Sequence, residues 1–132
     1  MRKGEIIYCS KYQFPDGGQD DKLIINLNDP GQNEPYLLLL ATSQQGTRLN
    51  SQGCHSGKGY YTIPKNTDFF VKDFTWILFY TLREFNLKEE LKESWSGNFI
   101  TKGFLKDETL RAIINCLKAS NYINKLQSLL LR

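Results

Sequence analysis

Between Glu5 and Tyr80 the apolar residues come in short runs, each closed by a cluster of Gly, Pro, Asn or Asp, and this limits the fold more than any other feature. In "GEIIYCSKYQF", Ile6, Tyr8, Tyr12 and Phe14 stand at even spacing, and the turn cluster "PDGGQDD" follows at 15–21. "KLIINLN" (22–28) is a β-branched run ended by "DPGQNEP", and "YLLLLATS" (36–43) comes next. A long polar stretch, "QQGTRLNSQGCHSGKG" (44–59), leads to "YYTIP", which Pro64 closes; after "KNTDFF" comes "FTWILFY" at 74–80. Five short strands separated by turn signals predict a small, strongly bent sheet or barrel.

After Tyr80 the period changes. "LREFNLKEELKESW" spaces Leu82, Leu87 and Leu91 at roughly helical intervals and reads as part strand, part short helix. "FLKDETLRAIINCLKAS" is clearer: Asp107 is the expected N-cap, Glu108 suits the positive end of the helix dipole, and Leu110, Ile113, Ile114 and Leu117 form one stripe. Ser120-Asn121 breaks it, and Tyr122, Ile123, Leu126, Leu129 and Leu130 predict a second amphipathic turn or helix. The expected architecture is mainly β with C-terminal α: a barrel of about five strands over 3–80, with helical elaborations near 82–95 and 107–131, all one domain across 1–132.

A chain of 132 residues can bury a real core, and 40% hydrophobic residues is a globular composition. The net charge of +3 tolerates an anionic partner without demanding one. No segment approaches the roughly 18 apolar residues that cross a bilayer, and "MRKGEIIYCS" lacks the apolar core of a signal peptide. Cys9, Cys54 and Cys116 are odd in number and form no CxxC pair, so no disulfide framework is expected and a reducing cytoplasm is.

Several side chains could carry chemistry. In "YLLLLATSQ" a strand of leucines delivers Thr42, Ser43 and Gln44, which either begin a loop or stand at a barrel rim facing a ligand. His55 is the single histidine; its ordinary pKa suits proton transfer, and an exposed loop histidine is the plain alternative. Four zinc ligands at compatible spacing are missing, so no metal site is expected. "SGKG" (56–59) lacks the spacing of a phosphate loop and precedes a strand, not a helix. Lys22 opens the second strand. Arg48, Lys58 and Lys65 lie in or beside the polar loops, and Arg2, Lys3 and Lys11 near the first strand; together they would line a groove for a phosphate backbone or simply keep the surface charged. Tyr60 or Tyr61 could stack on a base, with one of the two turned into the core by strand alternation.

Taken in order, these segments resemble the MazF/PemK family of bacterial toxin–antitoxin toxins. "KGEIIYCSKYQF" is similar to the family's opening strand, "KLIINLND" to its second, and "YLLLLATS" to the strand ending in Thr-Ser. "IPKNTDFFVKDFTWILFY" is similar to its apolar-Pro block followed by Lys-Asp and a strand, and "GFLKDETLRAIINCL" to its closing helix. The resemblance spans roughly 3–119 and implies an SH3-like barrel. It further implies a homodimeric, cytoplasmic endoribonuclease that is neutralised by an antitoxin. Such an enzyme cleaves single-stranded RNA selectively without metal or cofactor, by transfer of the phosphate to the 2′-hydroxyl. Carried over by position, Thr42 and neighbouring Ser43 fall on the family's strand-ending hydroxyl, and Asp21-Lys22 stand where an Arg-Pro pair is expected. Lys22, Thr42, Ser43 and His55 are then the candidate catalytic residues, and Lys11, Arg48, Lys58, Tyr60 and Lys65 the candidate RNA contacts. Two other readings are a barrel without catalysis that binds nucleic acid or a protein, and a structural or assembly protein.

Overall fold

A computed structural model describes residues 1–65, 70 and 73–132. The apolar runs form strands β1 (Glu5–Gln13), β2 (Gln19–Asn26), β3 (Tyr36–Thr42), β5 (Tyr60–Pro64) and β6 (Phe74–Phe85). Two further strands join them, β4 (Gly53–His55) from the polar loop and β7 (Phe99–Phe104) from the stretch after Tyr80. Helices α1 (Leu87–Trp95), α2 (Asp107–Lys118) and α3 (Lys125–Leu130) complete the chain. All seven strands belong to one sheet of order β4-β5-β6-β3-β2-β1-β7, and every neighbouring pair is antiparallel.

The sheet is open. The expectation of a barrel of about five strands gives way, among the described residues, to seven strands with β4 and β7 as free edges. The two added strands explain the difference. β4 has three residues and no apolar alternation, while β7 leaves Ile100 and Phe104 exposed, so neither carries the period-2 signal of a half-buried strand.

Both faces of the central strands are buried, which accounts for the four consecutive leucines of β3. Leu37 and Leu39 face a cluster with Ile6, Ile25, Ile77 and Phe79, capped by Leu110, Ile113, Ile114 and Leu117 of α2. Leu38 and Leu40 point the other way, into a cluster with Ile7, Cys9, Ile24 and Phe85. Each such side chain contributes about 1.5–3 kcal/mol on leaving water. Phe85 and Phe99, 5.6 Å apart, help roof this second cluster where β6 and β7 flank α1. Capping boxes at Asn86 and Asn124 start α1 and α3. At α2, however, the capping position is Lys106, and Asp107, the expected N-cap, is the first helical residue.

Cys54 on β4 and Cys116 on α2 form a disulfide, with Cα atoms 5.5 Å apart. This overturns the expectation that no disulfide framework forms and removes the cysteine argument for a reducing compartment. The pairing was hidden because it joins residues 62 apart in sequence that only the packing of α2 on the sheet brings together. Cys9 is the buried cysteine left over. Among the described residues no helix is long and apolar enough to cross a membrane.

Candidate functional site

β2 and β3 pair with Leu23 opposite Ala41 and Ile24 opposite Leu40. One step further the same register sets Lys22 opposite Thr42, and strand alternation puts both on the face of Ile24 and Leu40. They line one groove of about 600 Å³, with Leu40 and Leu78 in its floor and Phe14, Tyr80 and Arg83 in its walls.

A break in the β3–β6 ladder accompanies the groove. Leu38 pairs with Arg83 and Leu40 with Leu78, so two steps on β3 face five on β6. Of the extra residues Phe79 stays in the core and Leu82 packs against it, while Tyr80 is left 62% exposed at the groove wall. Thr81 closes the gap, because its hydroxyl accepts the Leu40 N–H at 2.9 Å and donates to the Leu78 carbonyl.

Within the groove the charges are positive. The Lys22 ammonium sits 3.6 Å from Asp20 and 5.9 Å from the centre of the Phe14 ring, and its side chain is partly exposed. The Arg83 guanidinium lies 5.5 Å from the Tyr12 ring centre and 5.7 Å from that of Phe85, and it donates to the Gln13 carbonyl at 3.2 Å. Thr42 Oγ1 accepts the Gln44 N–H at 3.2 Å, which leaves its own proton to donate. None of the described lining residues is a carboxylate or an imidazole.

Asp21 belongs to the opposite face from Lys22. Its Oδ1 accepts the Lys11 N–H and its Oδ2 the Tyr8 hydroxyl, at 2.9 and 2.7 Å. These bonds hold a bulge of β1 at which Lys11 adopts a left-handed φ of 57°. The Lys11 N–H, and then the Tyr8 hydroxyl, set the Asp21 carboxyl below its usual range. The same bond to Asp21 is the main reason that the Tyr8 phenol titrates above its own.

The remaining candidates are dispersed. Ser43 is exposed and borders a second depression, which Lys22 and Thr42 also line together with Asp20 and Asp21. His55 lies on the row His55–Tyr60–Leu78–Leu40, three strands from β3 and so about 14 Å away at ordinary strand spacing. Its Nε2 is 2.8 Å from the Ser51 carbonyl. Tyr60 is buried, and its hydroxyl accepts the Leu49 N–H while Trp76 Nε1 donates to the Leu49 carbonyl, so the two rings clamp the polar loop onto the sheet. Arg48 bonds within that loop, to the Gln44 carbonyl at 3.1 Å. Lys58 is exposed on a single 3-10 turn after β4, and Lys65 lies 4.0 Å from Asp73. Lys11 borders a smaller hollow of about 180 Å³ that shares Arg83 with the main groove. Lys72, of the family-like Lys-Asp pair, lies outside the described residues.

Sequence reasoning thus brings Lys22 and Thr42 to one place and misses Tyr80, Thr81 and Arg83. The signal available for these three was the continuation of alternation beyond Tyr80, which a bulge disguises. Among the described residues no group of three His, Cys, Asp or Glu is placed to hold a metal ion. No protein-family model matches the chain, nor does any curated protein or solved structure.

Proposed function

We propose that the groove receives single-stranded RNA and that the chain is a toxin-type endoribonuclease. The observation that carries this reading is the cross-strand juxtaposition of Lys22 and Thr42 at the edge of a groove walled by Phe14 and Tyr80. A cation and a free hydroxyl proton suit the non-bridging oxygens of a phosphodiester, and aromatic walls suit unstacked bases. In the reaction the 2′-oxygen attacks phosphorus and the bond to the 5′-oxygen breaks. The 2′-proton leaves to solvent, and the departing oxygen takes up a proton. Lys22 and Thr42 stabilise the charge that builds on the phosphorane, the largest kind of contribution a preorganised site makes. An antitoxin partner and a homodimer belong to the same proposal and rest on the sequence resemblance alone.

A second reading, RNA binding without cleavage, is favoured by one observation: no described groove residue can act as a carboxylate or imidazole base. Incubating a long single-stranded RNA with the protein in EDTA separates the two. Discrete cuts ending in cyclic phosphate support the nuclease, and Lys22→Ala or Thr42→Val should then slow cutting by about 10²–10³-fold, the usual effect of removing one transition-state donor. Retention of RNA by filter binding with no cuts supports the binding protein. Neither cutting nor retention, in folded protein, rejects both.

A further inference from the structure

We infer that Arg83 is a second phosphate-holding residue of the groove, gripping a phosphate adjacent to the one at Lys22 and Thr42. The inference rests on the RNA reading and adds a direction to it: the strand runs along β3, from Thr42 toward the row of Leu38. That row pairs with Arg83, and four residues of extended chain separate it from Thr42, about 13 Å of strand. The long Arg83 side chain spans part of that interval, since it lines the same groove as Lys22.

Three observations distinguish Arg83 from an ordinary structural arginine. It is half-buried, with its guanidinium 5.5 and 5.7 Å from the Tyr12 and Phe85 ring centres, contacts that remove part of its hydration. It makes no ion pair among the described residues, whereas Lys22 has Asp20 at 3.6 Å. And one of its five N–H donors serves the Gln13 carbonyl, which leaves four donors on a residue that lines the groove. The carboxylates that share the neighbouring hollow form no ion pair with Arg83: Glu89 closes the capping box of α1 with Asn86, and Glu93 accepts the Asn98 amide at 2.7 Å. A planar guanidinium with no ion-pair partner among the described residues, beside a groove, suits the bidentate geometry of a phosphate.

The test uses a fluorescent single-stranded RNA of about eight nucleotides, a length within the span of a small binding domain, made entirely of 2′-O-methyl residues so that it cannot be cut. Binding is read by anisotropy over a series of salt concentrations. Arg83→Gln should weaken binding about tenfold and flatten the slope of log affinity against log salt by about 0.7, the value of one phosphate contact on a single strand. Arg83→Lys should keep the wild-type slope, because the charge stays, yet bind more weakly because the fork is gone. Wild-type slope and affinity in a folded Arg83→Gln overturn the inference and leave the RNA reading standing. Should Arg83→Gln fail to fold, the Lys variant decides: undiminished affinity there overturns the inference. Absence of binding by the wild-type protein removes both the inference and the reading beneath it.

Discussion

Asp21 shows how one side chain holds a local structure and how that is measured. A left-handed φ at Lys11 costs about 1–2 kcal/mol for a residue with a Cβ, and the bonds from the Lys11 N–H and the Tyr8 hydroxyl offset it. Because the folded carboxyl titrates below its unfolded value of about 3.9, its contribution is complete above that pH and is lost as pH falls through the folded value. The Tyr8 phenol, raised chiefly by the same bond, contributes below its unfolded value of about 10 and loses that contribution as pH rises. Asp21→Asn should therefore lower the urea midpoint near neutral pH while flattening both the acid and the alkaline limb. Parallel curves for variant and wild type, from urea unfolding across pH, would show that the clamp does not contribute. In the sequence, Asp21 stands beside Lys22 where the family resemblance places an Arg-Pro pair. Strand alternation, a rule visible in the sequence, turns it to the other face. The β1 bulge that gives it a partner is not visible there, because Lys11 carries no glycine or asparagine signature for a left-handed residue.

Among the elements, β6 decides where the groove lies. The 7 residues of β3 lie opposite the 10 of β6 from Trp76 to Phe85, and the register is lost at Phe79–Leu82. Thr81 satisfies the Leu40 N–H and the Leu78 carbonyl that the bulge would otherwise strand. Leu40 is buried, so Thr81→Val, which keeps the shape and removes the hydroxyl, should cost about 1–3 kcal/mol for the unpaired groups. Thr81→Ser keeps the hydroxyl and should recover most of that loss. Urea unfolding of the pair provides the measurement, and equal stabilities for Val and Ser would remove the bridge from the explanation. The same bulge marks the limit of what this part of the chain disclosed. β1, β2, β3 and β5 were legible because each has an apolar run and a turn cluster after it, and the first half of β6 because of its apolar run alone. β4 and β7 were not, since they are edge strands whose pairing comes from neighbours and not from their own pattern. The groove walls Tyr80 and Arg83 shared this fate: "YTLREF" mixes two periods, and only the partner strand shows that Arg83 rejoins the ladder at Leu38.

At the scale of the whole molecule the Cys54–Cys116 bond fastens the shortest strand, at one edge of the sheet, to the helix that covers one face. β4 has three residues and among the described residues pairs only with β5, so its own ladder holds it weakly. The chain between the two cysteines runs through β5, β6, α1 and β7, and closing a loop of 62 positions restricts the unfolded ensemble by about 4 kcal/mol in the chain-entropy model. The expected effect of Cys54→Ser, or of reduction, is a loss of about 2–4 kcal/mol, read as a lower guanidinium midpoint. Cys9 gives the accompanying chemical readout. Burial, the first cause, pushes its thiol up to about 11, so it is almost wholly protonated near neutral pH and resists alkylation in the folded protein. Denatured without reductant, the protein should expose one alkylatable thiol, and after reduction all three of its cysteines. Three thiols without reductant, in protein prepared under oxidising conditions, would show that the bridge does not form. One thiol together with an unchanged midpoint on reduction would show that the bridge forms and constrains little, because packing of Leu110, Ile113 and Leu117 already holds α2 in place. A lower midpoint accompanied by faster amide exchange in β4 than in β3 would locate the loss at the tethered edge and leave the Lys22–Thr42 groove, three strands inward, intact.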